Sequence, residues 1–144
     1  MFKMIHSFWA YFVLLILVVA IVNAIIGVST NKKFNAKDLR ISLFALIASH
    51  VQLIIGFIAF FYSVYFAKLT DVGMGVVMKN SEFRKALVEH PLVGIIAIAL
   101  ITIGYAKHKK KATNSEKFKT IAIFYTIALI LILSRIPWIQ WFSN

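Results

Sequence analysis

The chain has 144 residues, is 61% hydrophobic and carries a formal net charge of +11. Soluble domains are about half apolar with those residues spread periodically; here they come in long blocks, which excludes that class. With no cysteine, structural disulfides, thiolate zinc sites, iron–sulfur clusters and thioether-linked haem are excluded too.

Four apolar blocks, at residues 8–28, 41–66, 90–107 and 119–138, are each near or above the ~20 residues of a spanning helix. Within one segment only a helix satisfies its own backbone in lipid. The predicted fold is an all-α membrane protein. A single four-helix transmembrane bundle covers 1–144, with a short amphipathic surface helix between the second and third spans.

In the first block, Gly27-Val28-Ser29 imitates a cleavage site, but the apolar stretch is too long for a signal sequence; it is read as a mature helix. His6 opens this helix, and Ala10, Val13, Leu17, Ala20 and Ala24 line one stripe below it. Loop 29–40 is short and polar, so the first two helices are antiparallel neighbours. The second helix carries His50 nine residues from its start, among Leu46, Ile47, Leu53 and Ile54. Ser42, Ala45, Ser49, Gln52, Gly56, Ala59 and Ser63 make a separate small, polar seam suited to helix packing.

Asp71-Val-Gly-Met-Gly reads as a turn. Asn80 or Ser81 then caps a short helix whose Phe83, Ala86 and Leu87 form an apolar stripe. Pro91 suits the first turn of the third helix and is expected to push His90 off helical geometry. His90, Gly94, Ala97, Ile101, Gly104 and His108 then fall on one stripe, with the two imidazoles ~27 Å apart along the axis. The fourth helix ends at Arg135-Ile136-Pro137.

The charge is divided unevenly. Lys32, Lys33, Lys37 and Arg40 lie between helices 1 and 2, and Lys107, Lys109, Lys110, Lys111, Lys117 and Lys119 between or beside helices 3 and 4. The other face carries Lys3, Lys68, Lys79, Arg84, Lys85 and Arg135, offset by Asp71, Glu82 and Glu89. The positive-inside rule makes the first set cytoplasmic, so both termini and the 67–89 connection face outwards. Trp9, Trp138 and Trp141 gather at that outer face as an interfacial belt. This distribution points to a lipid bilayer and not to nucleic acid.

Ionisable side chains at membrane depth are costly and mark function, and facing imidazoles in a helix bundle are how membrane proteins hold b-type haem. His6 and His90 come to similar depth at the outer edge, where Arg135 arrives to offset porphyrin carboxylates. Against this stands an interfacial His6 beside Lys3 and an Arg135 that merely snorkels. His50 is the deepest histidine and reads as a ligand or redox-site residue; the alternative is a structural histidine bonded across helices. Its partner is unsettled, since His90 and His108 both lie more than two turns away. His108 sits in a run of lysines, where a solvated loop residue is the ordinary explanation. A copper or zinc site could use the same residues, but the helices add no Cys or carboxylate. No Walker loop, GxSxG or HExxH is present.

The runs HSFWAY, SHVQL, EHP and SRIPW, around His6, His50, His90 and Arg135, resemble the small four-helix proteins labelled cytochrome b in flavobacteria and their relatives. The resemblance covers nearly the whole chain, although His108 has no clear counterpart. It implies a multi-pass haem protein of the bacterial inner membrane. The expectation is an electron carrier binding one or two b haems through His6, His50, His90 and His108, with Arg135 and Arg40 neutralising propionates. Quinol or another membrane redox protein would be its partner. Two rival readings are a haem-dependent oxidase resembling the four-helix protoporphyrinogen oxidases, and an accessory or oligomeric subunit of a larger complex.

Overall fold

The computed structural model describes residues 1–136 and 138, so Pro137 and Trp141 lie outside the described residues. Among the described residues seven α-helices follow one another: α1 (Phe2–Ser29), α2 (Ala36–Phe61), α3 (Val64–Val72), α4 (Met74–Lys79), α5 (Ser81–Arg84), α6 (His90–Lys109) and α7 (Asn114–Arg135). A π-helical turn, Lys85–Glu89, joins α5 to α6. Four runs are long and apolar enough to cross a membrane: Phe2–Ser29, Ala36–Phe61, Ser81–Lys109 and Asn114–Arg135. The chain is therefore an all-α, multi-pass membrane bundle.

Helix boundaries differ from the apolar blocks where capping adds polar residues. α2 begins five residues before its apolar run because Asn35 and Asp38 form a capping box. The Asn35 side chain accepts from Lys37 N and Asp38 N, and Asp38 Oδ2 accepts from Asn35 N at 3.0 Å. Lys32 Nζ reaches both Asp38 oxygens at 2.8 Å and Asn23 Nδ2 reaches one at 3.0 Å. Thus Asp38, fully buried, is held by opposite charge and hydrogen bonds, the condition for a carboxylate to sit there. At the other end α2 stops at Phe61, because Ser63 caps α3 through Phe66 N.

Neighbours around the bundle are α1–α2, α2–α6, α6–α7 and α7–α1, with the α2–α6 seam the least extensive. One end carries the lysine-rich loops at 30–35 and 110–113 (the basic end); the other carries α3 to α5 (the connection end). Packing follows the stripes seen in sequence. Val13, Leu17, Ala20 and Ala24 of α1, Ser42, Ala45 and Ser49 of α2, and Ala97, Ile101 and Gly104 of α6 are all buried. Between them sits Tyr125 of α7, wholly buried, its hydroxyl donating across the bundle to Ser42 O at 2.8 Å. Small residues let the backbones close in, as bilayer bundles require. Outward-facing Leu15, Phe44, Ile54, Ile96, Ile123 and Ile130 are exposed and present hydrocarbon to lipid.

The connection is a series of short helices broken at Gly73 and Asn80. Gly73, with φ +85, takes the left-handed turn between α3 and α4. Tyr65 donates to Glu82 Oε1 at 3.1 Å, and burial together with this carboxylate holds its hydroxyl above the usual phenol range. Asn80 caps α5 through Phe83 N as expected. However, the segment then continues into α6. His90 was expected to leave helical geometry, but it adopts φ −64 and ψ −49. The π turn accounts for this: His90 N–H bonds Lys85 O, five residues back, so the register is already loosened where Pro91 would strain it.

Candidate functional site

His6 lies on the second turn of α1, within the helix and not at its mouth. Its carbonyl oxygen accepts from Gln52 Nε2 of α2 at 2.9 Å. The imidazole rests on Gly56, where an added Cβ would stand 3.1 Å from His6 Cε1. Glycine thus makes the room that the ring occupies. Across the bundle, His90 begins α6, and its Nδ1 lies 3.1 Å from Arg135 O. A carbonyl can only accept, so Nδ1 carries the proton and Nε2 keeps its lone pair. The two rings have centroids 6.0 Å apart, with their planes crossed at 73°.

Two buried polar atoms at this place have no hydrogen-bond partner, His6 Nδ1 and Gln52 Oε1. They are complementary, a ring N–H and an amide oxygen on neighbouring residues. One turn below His90, a Cβ on Gly94 would meet nothing within 4 Å. Charge gathers beside the pair: Glu89 takes Arg84 Nε at 2.7 Å and lies 3.7 Å from Arg135 Nε. Two guanidinium groups thus share one carboxylate, leaving local positive charge.

The chain matches no family model, no curated protein and no solved structure.

His6 and His90 are the histidines that the fold brings together. His50 stands apart from them. It lies six residues, ~9 Å of rise, short of Gly56, on which the His6 ring rests, while Gln52, two residues on, bonds the His6 carbonyl. Two residues also turn ~200° around the helix, so Gln52 faces α1 while His50 faces α6. There His50 Nε2 lies 2.9 Å from Thr102 Oγ1. The Thr102 hydroxyl already donates to Ile98 O at 2.8 Å, so it accepts from His50 Nε2–H, and Nδ1 holds the free lone pair. His50 is exposed on the α2–α6 seam, which makes it a lipid-facing histidine bonded across helices.

His108 departs furthest from expectation. Read as a solvated loop residue, it is instead 1% exposed. Its ring lies beside Phe34 and Tyr105, with centroids at 5.2 Å and 4.9 Å, and its Nδ1 bonds Tyr105 O. α6 runs one residue beyond His108, and Phe34 from the 30–35 loop closes over it. Arg40 is exposed on the second turn of α2, ~24 Å along the helix from Gly56. It lies at the opposite end from His6 and His90, leaving Arg135 as the nearby arginine named from sequence. Among the described residues, no cluster of three or more His, Cys, Asp or Glu forms.

Gln52 and Gly56 are the site residues that a search for ligands passes over. Both lie on the small, polar α2 seam, so their direction was legible although their contact with His6 was not.

Proposed function

We propose that this chain is a bacterial inner-membrane redox protein that holds a b-type haem between His6 and His90. The observation that carries the reading is the approach of these two imidazoles at 6.0 Å. Two histidines that held one metal would each bring a ring nitrogen to about 2 Å from it, which needs imidazoles as close as these. The number of ligands agrees as well. A bare ion asks a protein for three or four donors, whereas a haem would ask this chain for two, which His6 and His90 would supply. Ligating histidines also donate their other ring N–H to a carbonyl or similar acceptor. His90 already does so to Arg135 O, and Gln52 Oε1 is the unpartnered acceptor beside His6 Nδ1.

When bound, the haem would supply a one-electron couple whose potential depends on axial ligands, burial and nearby charge. His6 and His90 would hold the iron, Gly56 and Gly94 would keep space beside the rings, and Arg135 would favour the propionates. His50 offers a lone pair at mid-helix on a lipid-facing seam, suited to receiving a hydroxyl from a membrane quinol. Its exposure makes that role a better match than ligation.

The uneven charge supports an orientation with the lysine-rich loops in the cytoplasm and both termini in the periplasm. A spectrum of detergent-purified protein tests the reading. Sharp α and β bands on reduction, with haem released intact by acid solvent, are expected. Protein with no Soret absorption after expression with ample haem would refute it.

A further inference from the structure

At the basic end, 30–35 meets the C-terminus of α6 and the start of α7 around a cavity of about 360 Å³. Its walls include Phe34, Leu39, His108, Lys109 and Lys117, together with Ala36 from the first turn of α2. This is within the range of ligand pockets, and it is far from His6 and His90.

The walls are cationic and uncompensated. Asp38, the buried carboxylate of this end, is committed to Lys32, and Glu116 accepts from Thr113 Oγ1 in its own helix cap. Lys117 Nζ meets backbone carbonyls, His108 O at 3.2 Å and Lys109 O at 3.5 Å, while Lys109 Nζ lies over the Tyr105 ring. Neither lysine has a carboxylate partner among the described residues.

The second, independent feature is His108. It is almost wholly buried, yet only Nδ1 is bonded, to Tyr105 O. Nδ1 is therefore the protonated nitrogen, and Nε2 is the acceptor nitrogen of a side chain that lines the cavity. A ligand that satisfies all of these groups has a phosphate anion for the lysines and a neighbouring hydroxyl for the imidazole.

We propose that this cavity is a binding site for an anionic phospholipid headgroup of the glycerophosphoglycerol type. Lys109 and Lys117 take the phosphate, and His108 Nε2 accepts from a glycerol hydroxyl. The source is a lipid because the cavity opens at the end of spanning helices, where headgroups lie, and because Phe34 and Leu39 line it beside the charges. Basic pockets between transmembrane helices are known to hold such headgroups. This proposal does not depend on haem.

Native mass spectrometry of the full chain in non-ionic detergent tests it, with phosphatidylglycerol and phosphatidylcholine of the same acyl chains. Each lysine near a membrane surface contributes about fivefold, so the pair predicts roughly 30-fold stronger retention of one phosphatidylglycerol. Lys109→Gln, which leaves the Lys117 bonds in place, should lower that preference about fivefold, and Lys68→Gln at the connection end should leave it unchanged. Equal retention of the two lipids overturns the proposal, and this comparison needs no variant. Undiminished preference in a Lys109→Gln, Lys117→Gln double variant with wild-type helix content also overturns it. Displacement of phosphatidylglycerol by millimolar inorganic phosphate would make free phosphate the ligand and refute the lipid assignment.

Discussion

Replacing Gly104 and Gly94 separately by alanine should move stability in opposite directions, although both lie on the same α6 stripe. Alanine favours a helix interior over glycine by about 1 kcal/mol, and that gain is common to both. At Gly94 nothing opposes it, because the new Cβ meets no atom within 4 Å. At Gly104 the new methyl would overlap Phe124 Cβ and come 2.9 Å from Phe124 Cγ. A Cβ is fixed to the backbone, so no change of rotamer relieves the clash, and α6 and α7 must part. Overpacking of this kind costs about 1–3 kcal/mol. A buried helix contact puts Gly104→Ala near the upper figure, leaving a net loss of about 1–2 kcal/mol after the helix gain. With about 2–4 °C per kcal/mol for a chain of this size, melting should fall by about 2–8 °C for Gly104→Ala. It should rise by about 2–4 °C for Gly94→Ala. Circular dichroism at 222 nm of purified haem-free protein in one detergent is the assay. A Gly104→Ala protein melting at or above wild type would refute the close packing of α6 on α7.

Tyr125→Phe removes the donor to Ser42 O and should cost about 1–2 kcal/mol, read as a lower melting temperature with unchanged helix content. His108→Ala should be destabilising by about 2–3 kcal/mol, as loss of a buried ring leaves a cavity; His108→Phe should recover most of it, and a silent His108→Ala would argue for a solvated side chain. A reporter placed in the 110–113 loop should work only if it is active in the cytoplasm, because the lysine-rich loops are expected inside. Activity of a periplasm-only reporter there would reverse the orientation.

The stripes were legible in the sequence because membrane helices bury small residues on one face. The α1 run Val13–Leu17–Ala20–Ala24 and the α2 run Ser42–Ala45–Ser49 needed no structure to find. His6 and His90 were likewise placed together by depth alone, and their rings do meet. What the pattern could not give was rotation and local covering. For His50, depth left the partner unsettled, with His90 and His108 both more than two turns away. His50 lies at the level of Thr102, ~18 Å of rise along α6 from His90, and faces that helix. His108 looked solvated because its neighbours in sequence are lysines, while its burial comes from Phe34, remote in sequence. Likewise Asp38, placed in a loop, became the buried N3 partner of a capping box.

The central claim is that His6 and His90 form one ligand pair while His50 lies outside it. Haem per polypeptide, by pyridine haemochrome, in wild type and in His6→Ala, His90→Ala and His50→Ala tests it most directly. The account predicts loss of that haem, or its conversion to a five-coordinate form, in both His6→Ala and His90→Ala, and retention of low-spin haem in His50→Ala. Full low-spin haem in His90→Ala, or its loss in His50→Ala alone, would contradict it.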